Sequence, residues 1–385
     1  MTEVTRHERM ADVGPLAWDA CLPGELEDHA CYQATESSGL PGFSLFYLAV
    51  REGGEVLAVA PAFVTDYSLD TTVRGPWKRP ASALVRLFPR LLRLRLACLG
   101  SPVAERCHLG FAPSVAAGDR PALAALLFEG LETLARGQGA RLTAAKDVAD
   151  NDLPLLSGAL ARGYHRLPSL PGASLPLPFP DLEAYLSSLG RATRKNMRRR
   201  LRAAQGRVTV ERREAIDDVL PEIAALYEET LARSDMQFER LPAAWFREML
   251  SRMPGRASCV LYRVDGRLAA FNLVLENRHA LLDKFFGMRA DLGREHGLYF
   301  VSWLENVRRC IERGLPVYVS GQAGYEAKLR LGSRLAPNWL LFRHGNPVLN
   351  GLLRLVAAFA RPDNFDPAIR GLGRALGQPS GKEDA

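Results

Sequence analysis

Residues 279–334 read HALLDKFFGMRADLGREHGLYFVSWLENVRRCIERGLPVYVSGQAGYEAKLRLGSR, and this stretch decides the fold. Leu281–Phe286 is short and bulky and ends at a glycine, which is typical of a strand. Large apolar residues then recur at helical spacing, namely Tyr299, Trp303, Val307 and Ile311. Gly314 stands where a helix ends, and Pro316–Ser320 reads as a second strand. A helix between two strands is typical of a crossover connection, so we expect a ligand site beyond the carboxyl ends of these strands, near residues 288–297 and 321–324.

The same order of elements recurs in the first half of the chain. Each half has a predicted hairpin, then a helix, a glycine and a strand. In the first half these segments are Phe43–Val50, Val56–Val64, Leu123–Arg136, Gly137 or Gly139, and Arg141–Ala145. In the second half they are Ser258–Val264, Leu268–Leu275, Leu298–Arg313, Gly314 and Val317–Ser320. The sequence therefore predicts an α/β (α+β) protein of two similar modules side by side, with mixed sheets flanked by helices.

The repeat also predicts where the domains begin and end. The distance from Gly54 to Gly137 is 83 positions and that from Gly266 to Gly314 is 48, so the first half carries 83 − 48 = 35 extra residues. Five prolines between 168 and 180 argue against helix there. Single helices are expected over Trp18–Thr35 and Asp181–Gln205. The predicted parts are an N-terminal domain over 1–167 with an insertion near 66–97, a crossover linker over 168–180, a C-terminal domain over 181–345, and a terminal helix and tail over 346–385.

Composition narrows the classes of protein that this chain can be. Its 385 residues are 47% apolar and 24% charged, which suits two globular domains. No apolar run of about 18 residues occurs, and the first 20 residues lack the apolar core of a signal peptide, so we expect a cytoplasmic protein. The six cysteines lack metal-ligand spacing, so no metal site is expected. The net charge of +7 favours an anionic partner, namely a nucleotide co-substrate, tRNA or a lipid surface; no DNA partner is expected.

Two strings resemble a known family. The string YVSGQAGYEAKLRLGSRL (318–335) is similar to the closing motif of FemAB-like and CelD-like acyltransferases, which are double-domain members of the GNAT superfamily. Gly321, Lys328 and Gly332 fit that motif. The string LPFPDLEAYLSSLGRATRKNMRRRLRAA (177–204) is similar to the linker helix of the family. The resemblance covers residues 153–342 and implies two GNAT-like modules.

The resemblance implies an N-acyltransferase that moves an acyl group from a thioester, acyl-CoA or acyl-carrier protein, to a small-molecule or peptide amine. The proton of the amine, the charge on the reacting oxygen and the phosphates of the donor each need a partner. The expected catalytic residues are Lys328, Asp283 and Tyr325, with Tyr299 as a second candidate for the general acid. The expected donor-binding residues are Arg289, Gly297, Leu298, Gly321, Gln322, Arg194 and Arg198.

The resemblance also leaves alternatives to this interpretation open. The spacing of Arg289, Gly293 and Gly297 differs from the usual GNAT phosphate loop, which leaves the identity of the donor open. A Fem-type transferase would take an aminoacyl group from tRNA, and the arginine run of the linker helix would hold the RNA. A non-catalytic module in envelope or polysaccharide synthesis would keep only the fold. The basic, leucine-rich segment 66–97 could make a peripheral membrane contact.

Overall fold

The structure is a computed structural model that describes residues 2–68, 93–234 and 237–357. Most of the predicted insertion, residues 69–92, and the predicted tail from Asp363 lie outside the described residues. The chain divides into two compact units. The first unit contains Met1–Pro23, Gly42–Gly172 and Ala336–Ala385, and the second contains Gly24–Pro41 and Ala173–Leu335.

Helices and strands alternate irregularly along the described chain. In order they are β1 (Thr2–His7), α1 (Pro15–Cys21), α2 (His29–Ser37), β2 (Phe43–Glu52), β3 (Glu55–Ser68), β4 (Arg93–Leu99), β5 (Gly110–Phe111), α3 (Arg120–Gly137), β6 (Leu142–Ala149), α4 (Ser157–Ala161), β7 (His165–Pro176), α5 (Leu182–Ser188), α6 (Arg191–Ala204), β8 (Val208–Arg213), α7 (Leu220–Ala232), α8 (Ala243–Arg252), β9 (Ala257–Val264), β10 (Arg267–Glu276), β11 (Ala280–Met288), α9 (Ala290–Glu295), α10 (Leu298–Arg313), β12 (Val317–Gly321), α11 (Tyr325–Arg330), β13 (Arg334–His344) and α12 (Pro347–Ala357).

Both units use the same succession of strand pairings. In the first unit the order is β1-β2-β3-β4-β6-β13, and in the second it is β8-β9-β10-β11-β12-β7. The pairings are antiparallel except for the fourth, which is parallel: β4 with β6 in one unit and β11 with β12 in the other. A helix, α3 or α10, connects the two parallel strands. The predicted repeat of one α/β module with a mixed sheet is therefore confirmed.

The sixth strand of each unit comes from the opposite half of the sequence. Asn338–His344 of β13 pairs with β6 of the first unit, and Ala173–Pro176 of β7 pairs with β12 of the second. The sequence predicted a linker over 168–180, but much of this segment is strand. Proline-rich chain is extended because its φ is fixed. β7 pairs with β12 at four positions. Each compact unit is therefore built from separate stretches of the chain, whereas the sequence predicted domains that follow one another along it.

Two predicted helices are interrupted. Between α1 and α2 the chain turns at Gly24, whose φ is +79°, and Asp28 caps α2 by accepting from the N–H groups of Ala30 and Cys31. Between α5 and α6 the chain is extended at Leu189, where ψ is 152°. Both breaks contain turn residues, namely Pro23-Gly24 and Gly190. The apolar periodicity continues on either side of them, so the sequence predicted one helix in each place.

The predicted central helix is confirmed as α10. Leu298, Trp303 and Val307 pack in the core of the second unit, and Gly314 ends the helix in the left-handed region with φ +66°. No helix within the described ranges is both long and apolar enough to span a membrane.

The exchanged strand gives a test in the first unit. Leu341 of β13 is fully buried and its register partner is Ala145 of β6. Leu341→Ala is expected to lower the free energy of unfolding by about 2–5 kcal/mol, because truncating a buried leucine loses burial and leaves a cavity. Hydrogen exchange should accelerate in β4 and β6. Faster exchange confined to β11 and β12, as in a control Leu273→Ala variant of β10, would contradict the assignment of β13.

Candidate active site

The two parallel strands of the second unit separate early. β11 and β12 pair at only three positions, Ala280–Leu282 with Val317–Val319. β11 then continues to Met288, while β12 ends at Gly321. A β-bulge adds to the separation, because Val274 pairs with Asp283 and the preceding Leu273 pairs with Phe285. Asp283, the first residue after the paired positions, therefore lies where the two strands part.

The carboxylate of Asp283 is held by side chains from two neighbouring strands. Asn272 Nδ2 donates to Oδ1 at 2.5 Å, and the Tyr318 hydroxyl donates to Oδ2 at 2.7 Å. Burial raises the pKa of Asp283 above its usual value, while these two hydrogen bonds and the charge of Lys328 act in the opposite direction. Asp283 therefore takes up a proton more readily than an exposed aspartate does.

Asn306 of α10 completes this network. Its Nδ2 lies 3.1 Å from Asn272 Oδ1 and 3.2 Å from the Tyr318 hydroxyl, while its Oδ1 is buried with no hydrogen-bond partner among the described residues. Neither Asn306 nor Tyr318 was predicted from the sequence. The signal was available, because Asn306 is three residues after Trp303 and a polar residue on the buried face of an amphipathic helix calls for an explanation.

Tyr299, rather than Tyr325, presents a hydroxyl without a partner. The Tyr299 hydroxyl is buried and makes no hydrogen bond within the described chain. It borders the loop after β12, since a Cβ on Gly324 would lie 3.8 Å from it. Burial first, and then the charge of Asp283, raise the pKa of Tyr299, so the phenol keeps its proton. Tyr325 lies in the first turn of α11, is 1% exposed, and has an interaction partner of its own.

Lys328, which was predicted as a catalytic residue, is buried and bonded to the backbone. It lies in α11 and is only 5% exposed. Its Nζ donates to the carbonyl oxygens of Ser320, Gly321 and Gln322 at 2.5, 2.9 and 2.9 Å. An ammonium has three protons, so these three bonds use its donors. Lys328 fixes the backbone at the end of β12, because three carbonyl oxygens converge there on its ammonium group.

The loop that Lys328 holds has an unusual backbone. Gly321, Ala323 and Gly324 all have positive φ, at +72°, +62° and +63°. For alanine this conformation is strained, and such strain persists only where surrounding contacts enforce it. The three bonds from Lys328 supply that enforcement. Gly321 and Gln322, expected to contact the donor, therefore lie in this loop with their carbonyls turned to Lys328.

The start of α10 offers a place for an anion. Gly297 caps the helix in the left-handed region with φ +61°, and Leu298 begins it. The first N–H groups of a helix have no partner within it and carry the positive end of its dipole. Arg289 instead precedes α9, and its Nε lies 3.4 Å from Asp291 Oδ1. Among the predicted donor residues, Gly297 and Leu298 thus occupy a helix start.

Arg200 is the arginine of α6 that lies at this helix start. A Cβ on Gly297 would collide with its guanidinium, which stacks 4.3 Å from the centre of the Phe300 ring. Its Nε is buried without a partner among the described residues, and burial lowers its pKa. Arg200 follows the buried Met197 by three positions and precedes the buried Ala204 by four, so helical spacing could have identified it.

The two predicted arginines of α6 make other contacts. Arg198 is exposed and pairs with Glu183 of α5. Arg194 donates to the Ser187 carbonyl at 2.9 Å. Both contacts tie α6 to α5, which the sequence could not foresee because it predicted one unbroken helix there.

Comparison with known proteins agrees with this architecture. Residues 191–329 match the family model described as "Acetyltransferase (GNAT) domain". The chain is similar to a tandem GNAT protein from the clavulanic acid biosynthesis pathway (16% identity, 90% of this chain and 99% of that chain, TM-score 0.56). It is also similar to FemX (14% identity, 91% of this chain and 100% of that chain, TM-score 0.57). A third similar structure is L-PGS from Bacillus licheniformis (12% identity, 88% of this chain and 96% of that chain, TM-score 0.51). No curated protein matches the chain. At these identities the structural likenesses establish the fold, a tandem of two GNAT-like modules.

The contacts of Lys328 predict a structural effect of its removal. Lys328→Met keeps the aliphatic stem but leaves three carbonyl oxygens without a donor, at about 1–3 kcal/mol for each buried unsatisfied group. We expect the free energy of unfolding in urea to fall by several kcal/mol. Lys195→Met, on the exposed side of α6, should leave it unchanged. Unchanged stability together with lost activity would instead support the substrate contact predicted from the sequence.

Proposed function

We propose that this chain, whose residues 191–329 belong to the GNAT acetyltransferase family, is an N-acyltransferase that moves an acyl group from a thioester donor to a small-molecule or peptide amine. The observation that carries the proposal is that a carboxylate and a phenol with no hydrogen-bond partner in the described chain both lie near the point where β11 and β12 separate. Asp283 has a raised pKa and Tyr299 has a buried hydroxyl without a partner in the described chain.

The residues at the start of α10 fit the phosphates of acyl-CoA. Gly297 has no side chain, which lets the Arg200 guanidinium reach the helix N-terminus, and no described carboxylate neutralises its positive charge. Helix N-termini bind phosphate through free N–H groups and the helix dipole. We therefore assign donor binding to Gly297, Leu298 and Arg200, with Arg200 in the role that was expected of Arg194 and Arg198.

Each reacting group then has a candidate partner. A bound thioester supplies the activated acyl carbon, to which the amine nitrogen bonds as the carbon–sulfur bond breaks. Asp283 accepts the proton that the amine releases, since its raised pKa favours proton uptake. Tyr299 donates a hydrogen bond to the departing sulfur rather than ionising, because its pKa is raised. The N–H groups of Ala323 and Gly324, in the loop that follows β12, are candidates to donate hydrogen bonds to the carbonyl oxygen of the thioester as it gains negative charge.

The role of Asp283 is tested by the pH dependence of turnover. A proton-accepting carboxylate must be ionised, so kcat should fall as the pH drops through a pKa above the usual value of about 3.9. Asp283→Asn keeps the shape, and we expect it to lower kcat by about 10²–10⁴-fold and to abolish the acid limb. Thiol release from acetyl-CoA with a panel of primary amines measures this. Asp291→Asn, an exposed control, should behave as wild type. An Asp283→Asn variant with normal kcat would remove the aspartate from the reaction.

The role of Arg200 is tested by the affinity for the donor. Arg200→Met removes the guanidinium and keeps an apolar stem over Phe300. We expect the KM for acyl-CoA to rise by about 10–100-fold, the range for loss of a hydrogen bond to a charged group, with kcat largely retained. Arg202→Met, on the exposed side of α6, is the matched control. Equal KM values in both variants would mean that the phosphates bind elsewhere.

A second candidate donor is aminoacyl-tRNA. It is favoured by the exposed basic side chains of α6, of which Arg191, Lys195 and Arg202 make no ion pair within the described residues. Such a ridge suits a polyanion, and binding that neutralises several phosphates weakens steeply with salt. An acyl-carrier protein would use the same charges. We propose the cytoplasm as the compartment for any of these donors, because all six cysteines are free.

A further inference from the structure

A second positively charged site lies in β8, the edge strand of the second unit. Arg212 is partly buried there, and its Nη1 donates to the Ser258 hydroxyl at 2.5 Å. Its Nη2 is buried and has no hydrogen-bond partner among the described residues. Burial, followed by the charge of Arg309, lowers the pKa of Arg212. Burying a cation is costly unless an anion accompanies it.

The carboxylates nearest to Arg212 are already neutralised. Glu276 of β10 accepts two bonds from Arg309, at 3.0 and 2.5 Å. Glu305 of α10 pairs with Arg308 at 2.7 Å. Within the described chain this leaves Arg212 without an ion-pair partner, so no ion pair offsets its positive charge.

A second unused donor lies beside Arg212. Tyr262 is fully buried, and its hydroxyl has no partner in the described part of the chain. In the β8–β9 ladder Arg212 is opposite Val260, and Val210 is opposite Tyr262. Arg212 and Tyr262 are therefore diagonal neighbours on one face, about 7–8 Å apart along the sheet, within reach of long side chains. Ser258 flanks Val260 on its other side.

We propose that Arg212, Ser258 and Tyr262 form a binding site for a carboxylate group. One carboxylate oxygen would accept from Arg212 Nη2 and the other from the Tyr262 hydroxyl. A phosphate dianion fits less well, because it would bring more oxygens than there are donors. Water could accept the hydrogen bonds but would leave the charge of Arg212 uncompensated.

The edge position gives the ligand a route in. Val210, on the same face of β8 as Arg212, is 40% exposed, and β8 pairs only with β9 in the described chain. The group could be a free small carboxylate or the terminal carboxylate of a larger substrate. The three side chains recognise the same chemistry in both cases, and kinetics separates the two sources.

Binding is measured by thermal unfolding and calorimetry with sodium acetate, against sodium chloride and sodium phosphate at equal ionic strength. We expect acetate to raise the melting temperature of the wild type more than either other salt does. Arg213→Met is the matched control, because Arg213 is the adjacent residue and already pairs with Asp218 and Glu211. It should respond as wild type, and Arg212→Met should lose the response.

Tyr262→Phe keeps the ring and removes only the hydroxyl, so it decides the matter even where Arg212→Met fails to fold. We expect about tenfold weaker acetate binding, the value of one hydrogen bond, with no loss of stability in the absence of ligand. The proposal is overturned if acetate acts no more strongly than chloride on the wild type, or if Tyr262→Phe binds acetate unchanged.

The source of the carboxylate is identified by inhibition, and this arm alone rests on the proposed acyl transfer. Acetate that competes with carboxylate-bearing amines, but not with amines lacking a carboxylate, assigns the site to the acceptor. Acetate that binds without altering turnover assigns it to a free small anion. Failure of the acyl-transfer assay would leave the binding result standing, so the two proposals can fail separately.

Discussion

The parallel pairing of β11 with β12 stops at Leu282 and Val319, and the contacts described for the second unit satisfy the polar groups that lie beyond this point. Where two strands part in the middle of a sheet, backbone and side-chain polar groups lose their ladder partners while still shielded from water. Such groups must be satisfied in some other way. Lys328 satisfies the carbonyls at the end of β12, and Asn272, Asn306 and Tyr318 surround Asp283.

These two arrangements lie just beyond the paired positions of β12 and β11, respectively. The ammonium of Lys328 stabilises a loop with strained backbone, so the shape of the loop does not depend on a ligand. The amide and phenol groups around Asp283 only partly offset its burial, so the carboxylate remains easy to protonate. In the proposed function the loop would contribute positioning and the carboxylate would contribute proton uptake.

The local elements were predictable, and the long-range pairings were not. The hairpins with Gly54 and Gly266, the helix α10 and its end at Gly314 follow from turn chemistry and periodicity, which act over a few residues. The exchange of β7 and β13 depends on which sheet edge each strand meets, and nothing local records that. The contacts of Lys328 could not be predicted for a related reason. Nothing local in the sequence records that three carbonyl oxygens converge on its ammonium group.

The site itself was partly predictable. Gly297 was predicted as a contact because it stands where a helix begins, and Asp283 because it is the acidic residue of a predicted strand beside the expected ligand site. Arg200 was not singled out because it stands in a run of arginines that look equivalent in sequence. Its helical spacing from the buried Met197 and Ala204 turns it towards α10. Arg212 and Tyr262 became visible only through the absence of partners around them in the described chain, which no sequence pattern reports.

The exchange of the sixth strands has a consequence for synthesis of the chain on the ribosome. All segments of the second unit have been made once Leu335 is added, whereas the first unit must wait for β13. A hydrogen bond between Thr143 and the carbonyl of Arg343 spans 200 positions, so closing this contact is slow and carries a large loop entropy. Until then β6 presents an unpaired edge, the kind of surface that recruits stray strands from other chains. The half of the protein that is translated first is therefore the half that finishes folding last.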